Sequence, residues 1–223
     1  MPPPGPERRF YAASGSPYVW RVWLALEHKR LPYTLKMMSF SDGDLRTPEF
    51  AALNPRRKVP VLDDAGFVIH ESAAIVEYLE DAYRDAGEPL FPADVRARPI
   101  ARRKVREADE YVAHAMEDLV DRVLFTPEAK WDAAAIVEAR DRFVAEMDWF
   151  ERELTGDFLA GGPGAADFTL YPIVALALRA ESRKKPDLAI GAALGPRIGA
   201  WMRRVEALPY FEATYPPHWK IAR

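Results

Sequence analysis

The chain contains no cysteine. That excludes disulfides, thiolate metal sites, redox cysteines and any cysteine nucleophile on the protein itself. Histidine is scarce as well. His28, His70, His114 and His218 are far apart, without metal-ligand spacing, so each reads as a surface or boundary residue and no metal is expected. No apolar run is long enough to span a bilayer, and no signal-peptide core is visible, so no membrane association is expected and the cytoplasm is the expected location. Positive charge is not in excess. A net charge of −3 argues against nucleic-acid binding driven by phosphate contacts. Internal repeats and coiled-coil heptads are also missing.

What remains is an ordinary globular composition, 49% hydrophobic and 29% charged. A chain of 223 residues can bury a sizeable core, as one large domain or two smaller ones. The Pro-rich stretch at residues 1–7 reads as a loose tail. Strand and helix signals then alternate. Arg8 to Ala13 reads as a strand, and Ser14-Gly15-Ser16-Pro17 as a turn into a helix that ends near Lys29. Tyr33 to Met38 reads as a second strand, and Asp42 to Leu53 as a loop with a short helix. Val59 to Leu62 and Phe67 to His70 form a hairpin around Asp63-Asp64-Ala65-Gly66, followed by a helix through Ala73, Val76 and Leu79.

A linker covers residues 86–95, and the pattern beyond it is helical. Ala108, Tyr111, Val112, Ala115, Met116, Leu119, Val120 and Val123 form one stripe, and Ile136, Phe143, Met147, Phe150 and Leu154 another. Leu159 to Gly164 breaks the chain, a helix begins at Ala165, and a further one covers roughly Gly191 to Glu206. Trp149, Trp201 and Trp219 read as core or tail packing. The expected organisation is an α/β domain over residues 8–85 and an all-α helical domain over residues 96–223. The cleft between two such domains is a natural ligand site.

The most informative segment is Lys58-Val59-Pro60-Val61-Leu62, with Glu71-Ser72 nine residues beyond Leu62. Pro60 follows a basic turn-like run, a context that suits a cis X-Pro bond. Val59 would then present its N–H and C=O to another backbone. Glu71-Ser72 opens a helix, whose free N–H groups and positive dipole end attract a carboxylate. Together they describe a pocket for a small acidic peptide.

In these residues, and along almost its entire length, the chain resembles a cytosolic glutathione transferase. The N-terminal half resembles that family's thioredoxin-like domain. Val59-Pro60 stands in the place of its cis-Pro motif and Glu71-Ser72 in the place of its γ-glutamate-binding pair. Gly164-Ala165-Ala166-Asp167 matches the capping segment of its helical domain, with Gly164 where Ser or Thr is usual. Trp201-Met202-Arg203-Arg204 and the tail to Pro217-His218-Trp219 resemble bacterial members. The resemblance implies glutathione as co-substrate and a homodimer. It also implies glutathione contacts from Lys58, Val59, Pro60, Glu71 and Ser72.

Glutathione carries its own sulfur, and the protein must ionise it. A free thiol has a pKa of about 8.5, and lowering it by two units needs about 2.7 kcal/mol of preferential anion stabilisation. A hydroxyl donor at a helix N-terminus can supply this. Three hydroxyls occupy the right turn: Tyr11, Ser14 and Ser16. Ser16 is favoured. It precedes Pro17 at the helix start and, counted back from Trp20-Arg21-Val22, falls where serine-type members carry their thiolate-stabilising serine. Ser14 is the rival two residues earlier, and Tyr11 lies one residue off the spacing of tyrosine-type classes. The electrophile is expected against Tyr111, Met116, Leu119 and Phe125 of the helical domain, with Tyr18 and Phe40 of the first domain.

The expected activity is transfer of glutathione to an electrophilic, mostly apolar small molecule. Trp20-Arg21-Val22 also resembles zeta-type members, which isomerise maleyl compounds. Their Ser-Ser-Cys signature is replaced by Ser16-Pro17-Tyr18, so an isomerase is the alternative. A further alternative is a non-catalytic glutathione-binding or ligand-carrying protein.

Overall fold

The computed structural model describes residues 7–220, so the expected tail at residues 1–7 lies outside the described residues except for Glu7. The chain divides into two compact units. The first holds the residues up to Leu90 together with those from Tyr210 onward, and the second runs from Phe91 to Pro209. The last segment of chain therefore belongs to the first unit, not to the helices with which the sequence pattern grouped it.

In the first unit, β1 (Arg8–Ala12), α1 (Pro17–His28) and β2 (Thr34–Met37) form a βαβ unit with parallel strands. A short helix, α2 (Pro48–Leu53), follows, capped by the Thr47 hydroxyl. Then come β3 (Val61–Asp64), β4 (Phe67–His70) and α3 (Ser72–Ala82). The strand order is β2-β1-β3-β4, with β1 antiparallel to β3 and β3 antiparallel to β4. Successive residues of β1 face opposite sides. Phe10 meets Trp23 of α1 edge-on, whereas Tyr11 meets Phe50 of α2. Helices α1 and α3 pack on each other.

The hairpin differs from the expected one. Asp63 and Asp64 lie in β3, largely buried, and the turn is Ala65-Gly66 alone, both with positive φ. The reason is across the sheet. Asp63 pairs in register with Arg9, and Asp64 with Arg8, at N···O distances of 3.6 and 3.2 Å. Tyr78 and Tyr83 add their hydroxyls to Asp64. A charge with such partners can be buried; without them it would remain in the turn.

The chain after α3 is clamped to the end of α1. Gly87 has φ +55, and a Cβ there would lie 2.4 Å from the Lys29 backbone carbonyl carbon. Glu88 N–H donates to the His28 carbonyl at 3.2 Å, and buried Glu80 takes both the Leu90 N–H and the Lys29 ammonium. His28 is buried against Tyr210 and the Pro89 carbonyl, not the surface or boundary residue that the sequence suggested. The start of the expected linker is thus fixed to the first unit.

In the second unit, α4 (Ala97–Glu107) runs through a π-helical turn at Ala108–Val112 into α5 (Ala113–Val120), and a second π-helical turn, Asp121–Phe125, ends it. Next come α6 (Ala133–Glu153), α7 (Ala165–Lys184), α8 (Ile190–Ala193) and α9 (Pro196–Glu206). The helix expected over Gly191 to Glu206 is two, because Gly195-Pro196 ends one and starts the other. From Ala165 to Val174, α7 is buried on every side, as the central member of a bundle must be. Trp201 is core as expected, but Trp149 is 41% exposed, with the Arg152 guanidinium 5.7 Å from its ring centre.

With glycine at the cap of α7, only the reciprocal half of a capping box exists: Gly164 N–H donates to Asp167 at 3.1 Å. The fully buried Asp167 also accepts from Leu159 N–H at 2.9 Å and Trp201 Nε1 at 2.7 Å, while Lys104 holds the Leu159 carbonyl at 2.8 Å. Burial pushes the Asp167 carboxyl up to about 6, against the opposing pull of its N–H donors. The folded carboxyl therefore holds its proton more tightly than the unfolded one. The stability tied to it is fully present below the ordinary value of 3.8 and is lost as pH rises through about 6. Denaturant melts of wild type and Asp167→Asn across pH 4–7 should diverge, with wild type losing on the order of 2–3 kcal/mol relative to the variant as pH rises. A difference that is flat with pH would show that the carboxyl does not carry this linkage.

Candidate functional site

The sheet register gathers three segments at one end of the first unit. Tyr11 pairs with Val61, and Val61 with His70. The turn that leaves β1, the Val59-Pro60 dipeptide that enters β3 and the Glu71-Ser72 pair that leaves β4 therefore lie side by side. Residues far apart in the chain, Ser16, Val59, Pro60, Glu71 and Ser72, are brought together by strand pairing alone.

The first segment is a β-turn. Ser16 N–H reaches the Ala13 carbonyl at 3.5 Å, and Gly15 holds φ +89 at the third position, where a type II turn requires it. Ser16 is the N-cap of α1. Its hydroxyl accepts from Val19 N–H at a long 3.4 Å, and Pro17 brings no N–H of its own at the first helical position. A hydroxyl has one proton to donate, and accepting the Val19 N–H leaves that proton available for an anion. Ser14 is placed differently. Its Oγ lies 2.5 Å from His218 Nδ1 and 3.4 Å from the donating His218 N–H.

The second segment contains a cis peptide at Val59-Pro60. Pro60 is buried and Val59 half-buried, while Lys58 is exposed. The Asn54 side chain orders the approach by donating to the Lys58 carbonyl at 2.7 Å. In the third segment, Glu71 caps α3 with φ +71 and ψ +110, a conformation rare for a residue with a Cβ, and makes no side-chain bond to the helix N-terminus. Its exposed carboxylate lies 3.6 Å from His70 Nδ1 and 4.0 Å from Arg56 Nε. Ser72, the first residue of the helix, is buried.

Tyr11 sits on the α2 face of the sheet against Phe50. Tyr18 is half-buried on α1, with the buried Arg21 guanidinium 5.8 Å from its ring centre. Phe40 is exposed. In the second unit, Tyr111 is 56% exposed in the first π-helical turn, and Phe125 is exposed at the end of the second. Met116, at 2% exposed, and Leu119 are core side chains. Their helical spacing reflects packing, which corrects the expectation that they touch a substrate.

The sequence reading took His218 as a surface or boundary residue of the tail and gave it no place at this turn. The C-terminal segment folds as α10 (Phe211–Thr214) and α11 (Pro217–Lys220) against α1. Trp20 Nε1 donates to Thr214 at 2.9 Å, and the Trp20 ring is surrounded by Phe211, Tyr215 and Trp219. That cluster carries His218 onto the β1–α1 turn. The dense aromatic spacing of the tail is the only signal of this in the sequence. Among the described residues no group of three His, Asp or Glu side chains could hold a metal ion, and no helix is long and apolar enough to cross a membrane.

An α/β unit whose sheet end carries a cis-Pro dipeptide and two helix starts, followed by a helical unit, defines a class. Profiles described as glutathione S-transferase N-terminal domain and glutathione S-transferase C-terminal domain match residues 15–82 and 117–204. The solved structure of a glutathione S-transferase from the Antarctic clam Laternula elliptica is 30% identical, with a TM-score of 0.81, over 96% of this chain and 94% of that one. Glutathione S-transferase A of Pleuronectes platessa is 28% identical over 92% of this chain and 90% of its own. The maleylacetoacetate isomerase of Dictyostelium discoideum is 35% identical over 89 residues, 39% of this chain and 40% of its own. The chain belongs to the glutathione S-transferase family and is an enzyme of that class.

Gly15 is the residue on which the turn closes. A Cβ there would lie 2.6 Å from His218 Cε1 and would require φ +89 of an L-residue. Gly15→Ala should destabilise the protein by about 1–3 kcal/mol, a fall in Tm of roughly 2–10 °C by calorimetry. An unchanged Tm would mean that the turn and the imidazole can both move aside at no cost.

Proposed function

We propose that the protein is a serine-type glutathione S-transferase that ionises bound glutathione and adds its sulfur to an electrophilic, mostly apolar small molecule. The observation that carries this reading is the convergence of Ser16, Val59-Pro60 and Glu71-Ser72 at one end of the sheet. In this reading the peptide backbone of glutathione pairs with Val59. Its γ-glutamyl carboxylate lies at the start of α3, by Ser72, and the Glu71 carboxylate takes the γ-glutamyl ammonium. Lys58, exposed next to Val59, supplies positive charge for the second carboxylate.

Ser16 acts on the sulfur. The thiol proton leaves to solvent, and the Ser16 O–H donates to the anion that remains. A charge-assisted hydrogen bond of roughly 1.5–3 kcal/mol lowers a thiol pKa by about one to two units. The thiolate then attacks an electrophilic carbon. The S–C bond forms as a leaving group departs with its electron pair, or as the adjacent carbon takes a proton from water. Tyr18, half-buried on α1, is a candidate contact for the electrophile, and Tyr111 is a second candidate carried over from the sequence. π-Helical turns recur at functional sites, which favours Tyr111. A homodimer in the cytoplasm belongs to this reading as a family expectation.

The second reading is glutathione-dependent isomerisation of a maleyl compound, favoured by the similarity to maleylacetoacetate isomerase over part of the chain. There the same thiolate adds to the double bond, rotation follows, and the thiolate is expelled with no net consumption of glutathione.

The test is a pH titration of the ultraviolet thiolate absorbance of glutathione bound to wild type and to Ser16→Ala. The bound thiol should titrate well below the free value in wild type. It should rise by about one to two units in the variant, with glutathione affinity little changed and turnover near neutral pH reduced roughly 10- to 100-fold. A variant that titrates like wild type would remove Ser16 from the chemistry. A bound thiol that titrates like free glutathione in wild type itself would point to a carrier.

A further inference from the structure

We propose that His218 is a positioning residue of the thiol site, delivered by the C-terminal segment, and that it decides which of two serines meets the sulfur. This rests on the reading of Ser16 given above and adds to it a residue some 200 positions away in the chain.

The argument begins with the two hydroxyls. Ser14 and Ser16 flank Gly15 in one tight turn, and by residue type either could serve a thiolate. Each has one proton to donate. The Ser14 Oγ receives the His218 N–H at 3.4 Å and lies 2.5 Å from His218 Nδ1. With the imidazole proton on Nε2, Nδ1 is an acceptor, and the single Ser14 proton is committed to it. Ser14 then has no donor left for sulfur. Ser16 has only accepted, from Val19 N–H, and keeps its proton.

The ring also shapes the turn. It covers the face of Gly15 where a side chain would be, with Cε1 2.6 Å and Nε2 3.2 Å from the position of a Cβ, and the Trp219 indole nitrogen lies 3.2 Å from the same point. The imidazole therefore occupies space that only a glycine at position 15 leaves open. His218 in turn is held by its neighbour. Trp219 packs edge-on against Trp20 of α1 at 5.5 Å between ring centres, and Thr214 accepts the Trp20 indole N–H. The helix that Ser16 caps thus carries the segment that fixes Ser14.

The experiment compares wild type, His218→Ala, His218→Asn, His218→Phe, Ser14→Ala and the Ser14→Ala/His218→Ala double variant. All are titrated for the thiolate absorbance of bound glutathione, and all are tested for binding of S-methylglutathione, which has no thiol to ionise. His218→Ala loosens the turn that aims Ser16 at the sulfur and lets Ser14 compete for the place, so the expected result is a bound-thiol pKa raised by about half to one unit, a kcat at neutral pH reduced roughly 3- to 10-fold, and unchanged affinity for S-methylglutathione. His218→Asn, whose amide oxygen can take the place of Nδ1, should restore much of the shift, and His218→Phe, which keeps a ring without an acceptor, should not. The double variant should be no worse than the more affected single one, because both substitutions break one hydrogen bond.

Wild-type behaviour of His218→Phe would overturn the proposal in favour of simple packing. So would a loss confined to S-methylglutathione affinity. If His218→Ala titrates like wild type while Ser16→Ala shifts, the proposal fails and the serine-type reading stands. If neither shifts, the serine-type reading fails and the proposal with it.

Discussion

Two arginines on β1 face two aspartates on β3, and the register they mark is the constraint on which the site depends. Arg8 and Asp64 are both almost fully buried. Removing one partner of such a pair leaves a buried charge uncompensated, at a cost of about 3–5 kcal/mol. A slip of one residue between β1 and β3 would do the same to Arg8 and Asp64 at once, and would turn Phe10 and Leu62 out of the core. It would also carry Val59-Pro60 away from the turn that holds Ser16. The polar pairs and the apolar faces therefore select the same register, and the convergence at the far end of the strands follows from it without any contact between the site residues themselves.

The C-terminal segment extends that logic to the first helix. An α-helix on a small sheet must cover its outer face, and α1 is buried over nearly its whole length. The cover is supplied by Phe211, Tyr215 and Trp219 around Trp20, and by Tyr210 against His28. The segment from Tyr210 to Lys220 is thus part of the domain that holds β1 and α1. Aromatic rings give large buried area for few residues, so a segment with only two single-turn helices can still hold a fixed place.

The element order was legible in the sequence because its signals are local. Pro17 and Pro48 at helix starts, the capping residues Ser16 and Thr47, and the glycine-rich break before Ala165 each act within a turn of the chain. The cis bond at Val59-Pro60 and the helix start at Glu71-Ser72 were legible for the same reason. What was not legible depends on distant partners. Asp63-Asp64 has the composition of a turn, and only Arg8 and Arg9, more than fifty residues earlier, make it a strand. His28 reads as a boundary residue until Tyr210 covers it, and His218 is separated from Ser14 by 204 positions. Helical spacing placed Met116 and Tyr111 on one stripe. The π-helical turn at Ala108–Val112 changes the angular step there, and one of the two is buried while the other is exposed.

Positive φ angles occur at both ends of the sheet, but they have different causes. At Ala65-Gly66 the two-residue hairpin needs them, since a left-handed pair matches the twist of the strands it joins. At Gly15 the turn needs one, and glycine removes its cost. Glu71 has neither excuse. It follows a strand and opens a helix, a junction that residues ordinarily make in extended conformation, yet it sits at φ +71 and ψ +110 at a cost of about 1–3 kcal/mol. Strain of that size persists only where the surroundings hold it, and here β4 fixes one side of the residue and the buried Ser72 the other. Its effect is to leave the start of α3 without a side-chain cap while setting a carboxylate beside it. A helix start open to an anion, next to a carboxylate open to a cation, is complementary to a zwitterionic α-amino acid group, which is the chemistry of the γ-glutamyl end of glutathione. In the proposed reading the strained residue therefore belongs with Ser16 to one site, the first meeting the γ-glutamyl end of the peptide and the second its sulfur.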